Sequence, residues 1–115
     1  MAEMEGSTDI LAALAAFKEN YAKKIPAKTG EIRQSWETLK ADRENGEVFQ
    51  QLHRQSHTLA GTAGTYGFEE IGNIAKAIET TVDDLTENHS KWTAADMDKV
   101  ESLLLHLEAL AGDPF

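Results

Sequence analysis

With no cysteine in its 115 residues, the chain leaves histidine as its main candidate for nucleophilic or metal chemistry. Of four histidines, His57 has the most unusual setting, in the run Ser56-His57-Thr58-Leu59-Ala60-Gly61-Thr62-Ala63-Gly64-Thr65-Tyr66-Gly67-Phe68. Imidazole titrates near ~6.5, so a surface histidine is largely neutral at physiological pH and carries a free nucleophilic nitrogen. Attack on a phosphoryl group gives a phosphohistidine. That chemistry needs one ring nitrogen facing outward and an acceptor for the proton on the other, a role for which Gln50 and His53 lie within a turn or two. A second chemistry is metal binding, because His53 and His57 have the i, i+4 spacing of the zinc pair in His-Glu-x-x-His. Arg54 stands where that motif needs glutamate, and no clear third ligand follows, so the zinc reading lacks the three or four ligands of a site.

The glycines raise the question of what positions His57. Glycine in a helix interior costs roughly 1 kcal/mol relative to alanine. Around it, Val48, Phe49, Leu52, Ser56, Leu59, Ala63 and Tyr66 fall within one arc roughly 100° wide at helical spacing. This predicts a helix from about Glu47 to Tyr66-Gly67 with that arc in the core. His57 projects roughly 140° from the centre of the arc and is therefore exposed. Gln50, His53, Arg54, Gly61 and Gly64 share its outer face. Gly61 and Gly64, four and seven residues on, clear the surface beside His57 for a large partner.

The remaining elements read as helices too. Ser7-Thr8-Asp9 offers N-cap residues for a first helix whose apolar face is Ile10, Leu11, Leu14, Phe17 and Tyr21. Lys23 and Lys24 suit its C-terminal end, and Pro26 disfavours helical geometry at Ile25, predicting a break there. A second helix is expected from about Pro26 to Ala41, burying Ile25, Ile32, Trp36 and Leu39. Asp42 to Gly46 is a polar connector. After the His57 helix, one opens at about Phe68 with the stripe Phe68, Ile71, Ile74, Ala75, Ile78, Val82 and Leu85, then a polar loop Glu87-Asn88-His89-Ser90-Lys91. Thr93 and Asp96 approximate a capping box for a last helix with Met97, Val100, Leu103, Leu104, Leu107 and Leu110 on its seam, ended by Gly112 and Pro114. His89 is expected in solvent and His106 at the edge of that seam, while Trp36 and Trp92 read as packing residues. Nothing reads as a strand. The expectation is an all-α fold: an antiparallel up-down four-helix bundle with an additional N-terminal helix, as one domain over 1–115 with its ordered core at about 8–111.

Charge narrows the function. The net charge of 11 − 20 = −9 argues against a nucleic-acid partner. No run of apolar residues suffices for a membrane span, and Met1–Thr8 lacks the basic region of a signal peptide. A monomeric cytoplasmic protein with a protein or small-molecule partner is expected.

His57-Thr58-Leu59-Ala60-Gly61, followed by small residues and Gly67, resembles the signature His-x-Leu-Lys-Gly of histidine-containing phosphotransfer (HPt) domains. Ile71, Ala75 and Ile78-Glu79 resemble the apolar helix and Leu-Glu pair that follow it in that family. The resemblance implies a four-helix bundle with His57 as phosphoacceptor, taking a phosphoryl group from an aspartyl phosphate on a receiver domain and passing it to another. Implied partners are response-regulator receivers or a hybrid sensor histidine kinase. No cofactor of its own and no ATP site is implied, with magnesium on the partner receiver. The receiver-facing surface would be Gln50, His53, Arg54, Ala60, Gly61 and Gly64, with Lys76 at its border. Ala60 departs from the family lysine, and Arg54 is the candidate substitute. The competing reading is a non-catalytic helical adaptor whose His57 is incidental.

Overall fold

The computed structural model describes the backbone of residues 2–87 and 92–115 and the side chains of 9–85 and 92–115; His89 and the centre of the expected loop lie outside them. Four helices follow in order: α1 Ala2–Ala41, α2 Gly46–Thr65, α3 Glu69–Glu87 and α4 Ala94–Gly112. Among the described residues there is no strand. Short connectors force consecutive helices to run antiparallel. Helix α1 packs on α2, α2 on α3, α3 on α4, and α4 back on α1.

One expected break is absent. Pro26 lies inside α1, which is a single helix of 40 residues rather than two, so there is no separate N-terminal helix. Proline in a helix interior costs about 3 kcal/mol. Against that, Ile25, Ile32, Trp36 and Leu39 are fully buried along one stripe through the proline. Each such side chain contributes roughly 1.5–3 kcal/mol on burial, provided the stripe stays in register. The stripe wins. The helix also runs straight through Ser7-Thr8-Asp9, whose cost in a helix interior is below ~1 kcal/mol each, and Lys23 and Lys24 are mid-helix. The first expected apolar face is corrected as well: Tyr21 is buried, but Ile10, Leu11, Leu14 and Phe17 are exposed.

The other elements form as their sequences dictate. Asn45 caps α2 by accepting from the Val48 N–H. At the far end, Gly67 at φ +86° allows the Gly67 N–H to reach the Gly64 carbonyl and the Phe68 N–H that of Ala63, a Schellman closure. The Thr93–Asp96 capping box opens α4. Trp36 stacks on Trp92 at 5.7 Å, with Phe49 edge-on to Trp92 at 5.6 Å. Tyr66 departs from its expected place in the core: it is 38% exposed, stacked on Tyr21 at 4.6 Å. Arg33 ties α1 to α4 through Glu101 (2.5 Å) and Glu108 (2.6 Å).

The α2–α3 contact is the one that carries the site, and Gly72 sets its closeness. A Cβ at Gly72 would meet the Ala60 carbonyl oxygen at 3.1 Å and the Gly64 nitrogen at 3.4 Å, both backbone atoms of α2. A Gly72→Val variant is accordingly expected to lose about 1–3 kcal/mol despite removing a helical glycine, as overpacking against rigid backbone does. Urea unfolding followed by circular dichroism measures this.

Candidate functional site

Helix α2 buries Phe49, Leu52, Ser56, Leu59 and Ala63, which turns the opposite face outward. His57 is on that outer face, its side chain 68% exposed. Its ring is not free to turn. Nδ1 lies 2.7 Å from Oε2 of Glu79, near the middle of the facing helix α3. An ionised carboxylate only accepts, so Nδ1 carries the proton and donates it, and the lone pair is on the outward Nε2.

Glu79 is the buried member of this pair, 4% exposed. Its other oxygen, Oε1, accepts from Lys76 Nζ at 2.7 Å. Burial works to raise the Glu79 carboxyl pKa, but the hydrogen bonds and charges of Lys76 and His57 outweigh it, and the pKa falls below the usual carboxylate value. The result is a relay of Lys76, Glu79 and His57, in which one carboxylate orients both a cation and an imidazole.

His57 borders two clefts. The first, about 540 Å³, is lined by Ala60, Gly61, Gly64, Glu69, Gly72, Asn73 and Lys76. A Cβ at Gly61 or Gly64 would meet nothing within 4 Å, so no packing demand accounts for these glycines. Their absent side chains leave open space in the cleft that His57 borders. The second cleft, about 370 Å³, is lined by Phe49, Gln50, His53, Arg54 and Asp83. The expected surface residues thus share one side of the molecule, but divided: Ala60, Gly61 and Gly64 on one flank of His57, Gln50, His53 and Arg54 on the other.

The relation between the two histidines also decides the metal reading. His53 Nδ1 is 2.7 Å from Asp83 Oδ1, and its ring lies parallel to that of His57, centroids 6.0 Å apart. Each imidazole is turned to its own carboxylate on α3 rather than towards a common point. Among the described residues, no group of three or more histidine, aspartate or glutamate side chains could hold a metal ion.

A model of the Hpt domain matches residues 8–112. The chain belongs to the Hpt domain family. Among its relatives is chemotaxis protein CheA of Listeria monocytogenes, 28% identical over 75 residues, which span 65% of this chain and 12% of that protein. The chemotaxis protein CheA of Halobacterium salinarum is 32% identical over 62 residues, 54% of this chain and 9% of that protein. The match thus spans about a tenth of the curated relatives' own length. Membership connects this Hpt domain with histidine phosphotransfer in two-component signalling. No helix among the described residues is long and apolar enough to cross a membrane.

Two residues of the relay escaped reading by spacing alone. Neither Gln50 nor His53 partners the His57 proton; Glu79 does, from another helix. Its signal was a carboxylate among the apolar positions Ala75, Ile78 and Val82, four residues after Ala75 on the buried stripe. Lys76, expected only at the border, lines the same cleft as the glycines.

Proposed function

We propose that this Hpt domain is a phosphorelay intermediate with His57 as its phosphoacceptor. The observation that carries the reading is the His57–Glu79 pair, which fixes the tautomer and leaves Nε2 exposed next to an open cleft. In the step, the Nε2 lone pair attacks the phosphorus of an aspartyl phosphate on a receiver domain. The Nε2–P bond forms as the P–O bond to the aspartate breaks, and the electron pair leaves with the receiver's carboxylate. The ring keeps its Nδ1 proton and gains positive charge, which the Glu79 carboxylate faces at 2.7 Å. Transfer to a second receiver is the reverse of this step. Positioning and electrostatics account for such chemistry, with magnesium expected on the receiver and neither an ATP site nor kinase activity on this chain.

Lys76 takes the place of the lysine that Ala60 lacks. It reaches the cleft from α3 instead of α2, and Glu79 holds its ammonium at 2.7 Å. Arg54 has the charge but lines the opposite cleft. A charge-assisted hydrogen bond contributes about 1.5–3 kcal/mol, reduced at a side chain 62% exposed to roughly 1 kcal/mol. Lys76→Ala is therefore expected to slow transfer roughly fivefold, and Arg54→Ala to leave it at the wild-type rate. Stopped reactions with a phosphorylated receiver distinguish the two.

The experiment that tests the whole reading is incubation with a receiver carrying labelled aspartyl phosphate, followed by nitrogen-resolved NMR of the imidazoles. A phosphoryl group on Nε2 of His57 is expected. Phosphorylation at Nδ1, or on another residue, overturns the reading.

A further inference from the structure

We propose that α1 is also a self-association element, pairing antiparallel with α1 of a second copy of this chain. Helix α1 spans about 60 Å at 1.5 Å per residue, against about 30 Å for each of the others. The molecule is correspondingly 65 Å long but only 22 by 18 Å across. The part of α1 before Lys18 therefore projects beyond the bundle, and on it Ile10, Leu11, Leu14 and Phe17 are 57–67% exposed.

These residues continue the stripe that is core further along. Ile10, Leu14, Phe17 and Tyr21 follow at steps of four, three and four, the alternation of a two-helix seam. The last of them is already buried in the bundle. The surface at that end is apolar too, with Tyr66 stacked on Tyr21 and the exposed Phe115 edge-on to Phe68 at 5.5 Å. Ala12, Ala13, Ala15 and Ala16 intervene along the helix and permit close approach of a second one.

Charge selects the occupant and its direction. Residues 1–9 hold Glu3, Glu5 and Asp9 with no basic residue, whereas residues 18–24 hold Lys18, Lys23 and Lys24 with one glutamate. A second copy in antiparallel register about the midpoint between Ala13 and Leu14 sets Ile10 against Phe17 and Asp9 against Lys18, and it brings each acidic segment to a basic one. Parallel pairing would bring like charges together. The contact is isologous, so two copies close on each other and no third is recruited. It also leaves both His57 clefts open, since none of their lining residues comes from α1. This dimer replaces the monomer expected from sequence and is independent of the phosphotransfer reading.

The test is sedimentation velocity of the full chain over roughly 1–100 μM, the range that brackets a micromolar pairing. A dimer is expected for wild type and for His57→Gln, and a monomer of unchanged helix content for Leu14→Glu/Phe17→Glu. Lys23→Glu/Lys24→Glu is expected to weaken association roughly tenfold. Orientation is read by disulfide formation in a chain that has no native cysteine. Asp9→Cys mixed with Lys18→Cys should cross-link, and neither alone. A wild-type monomer throughout the range overturns the proposal, as does a dimer indifferent to Leu14 and Phe17, or cross-linking of Asp9→Cys with itself.

Discussion

His57→Gln is expected to take no acid-labile label from a phosphorylated receiver while the bundle stays folded. Both halves of that result follow from where the ring is. The side chain is 68% exposed and makes no core contact that its loss would empty. Glutamine keeps an N–H within reach of Glu79, and Glu79 keeps Lys76 as a partner, so the buried carboxylate is not abandoned. Surface changes of this kind alter stability by about 0.5 kcal/mol or less. What glutamine cannot do is offer a basic lone pair to phosphorus. His53 is the internal control, because it has a carboxylate on Nδ1 and a parallel ring. If label persists in His57→Gln and disappears only when His53 is also replaced, the assignment of the phosphoacceptor fails. Thermal unfolding by circular dichroism checks that the bundle is intact.

Much of this site was legible because helical periodicity is a local property. The spacing of Phe49, Leu52, Ser56, Leu59 and Ala63 fixed one face of α2 as core, and exposure of His57 and its glycines followed by rotation. Glu79 and Lys76 were harder because their roles depend on how α3 lies against α2. That depends in turn on the close approach at Gly72, a contact between residues far apart in sequence. A carboxylate on an otherwise apolar stripe is nevertheless a readable sign, since burying a charge without a partner is costly. Pro26 failed as a boundary for the same reason in reverse: its local preference was real, but non-local burial of Ile25 and Ile32 exceeded it. The Ile10 to Phe17 stripe shows the limit of periodicity, which identifies an apolar face without saying whether the same chain covers it.

The relay also bears on the departure at Ala60. A lysine one turn from the histidine on α2 and a lysine on α3 can serve the same cleft, provided something holds the second in place. Glu79 does so here, and thereby couples the orientation of the imidazole to the position of the cation. A change at Glu79 should consequently cost more than a change at Lys76, because it releases both.

Glu79→Leu separates this role from stability. A buried carboxylate with two partners is costly to desolvate, and an apolar side chain of similar volume in its place is commonly neutral or stabilising. His57 and Lys76 are both more than 60% exposed, so water takes over their hydrogen bonds when Glu79 is gone. The variant is therefore expected to fold at wild-type stability or above it at neutral pH. Phosphotransfer should nevertheless fall on the order of 10–100-fold, the usual effect of removing the group that orients a functional imidazole. The pH dependence gives an independent signature. The carboxyl pKa is depressed in the folded state, with burial opposing the shift and the Lys76 and His57 hydrogen bonds prevailing. Its ionised form thus contributes stability that is fully present above the unfolded value of ~4.3 and is lost as pH falls through the folded value. Between neutral pH and pH ~3, wild type should lose more stability than Glu79→Leu. Denaturant unfolding across that range measures the difference, and parallel slopes for the two proteins would show that Glu79 is not held ionised by the relay.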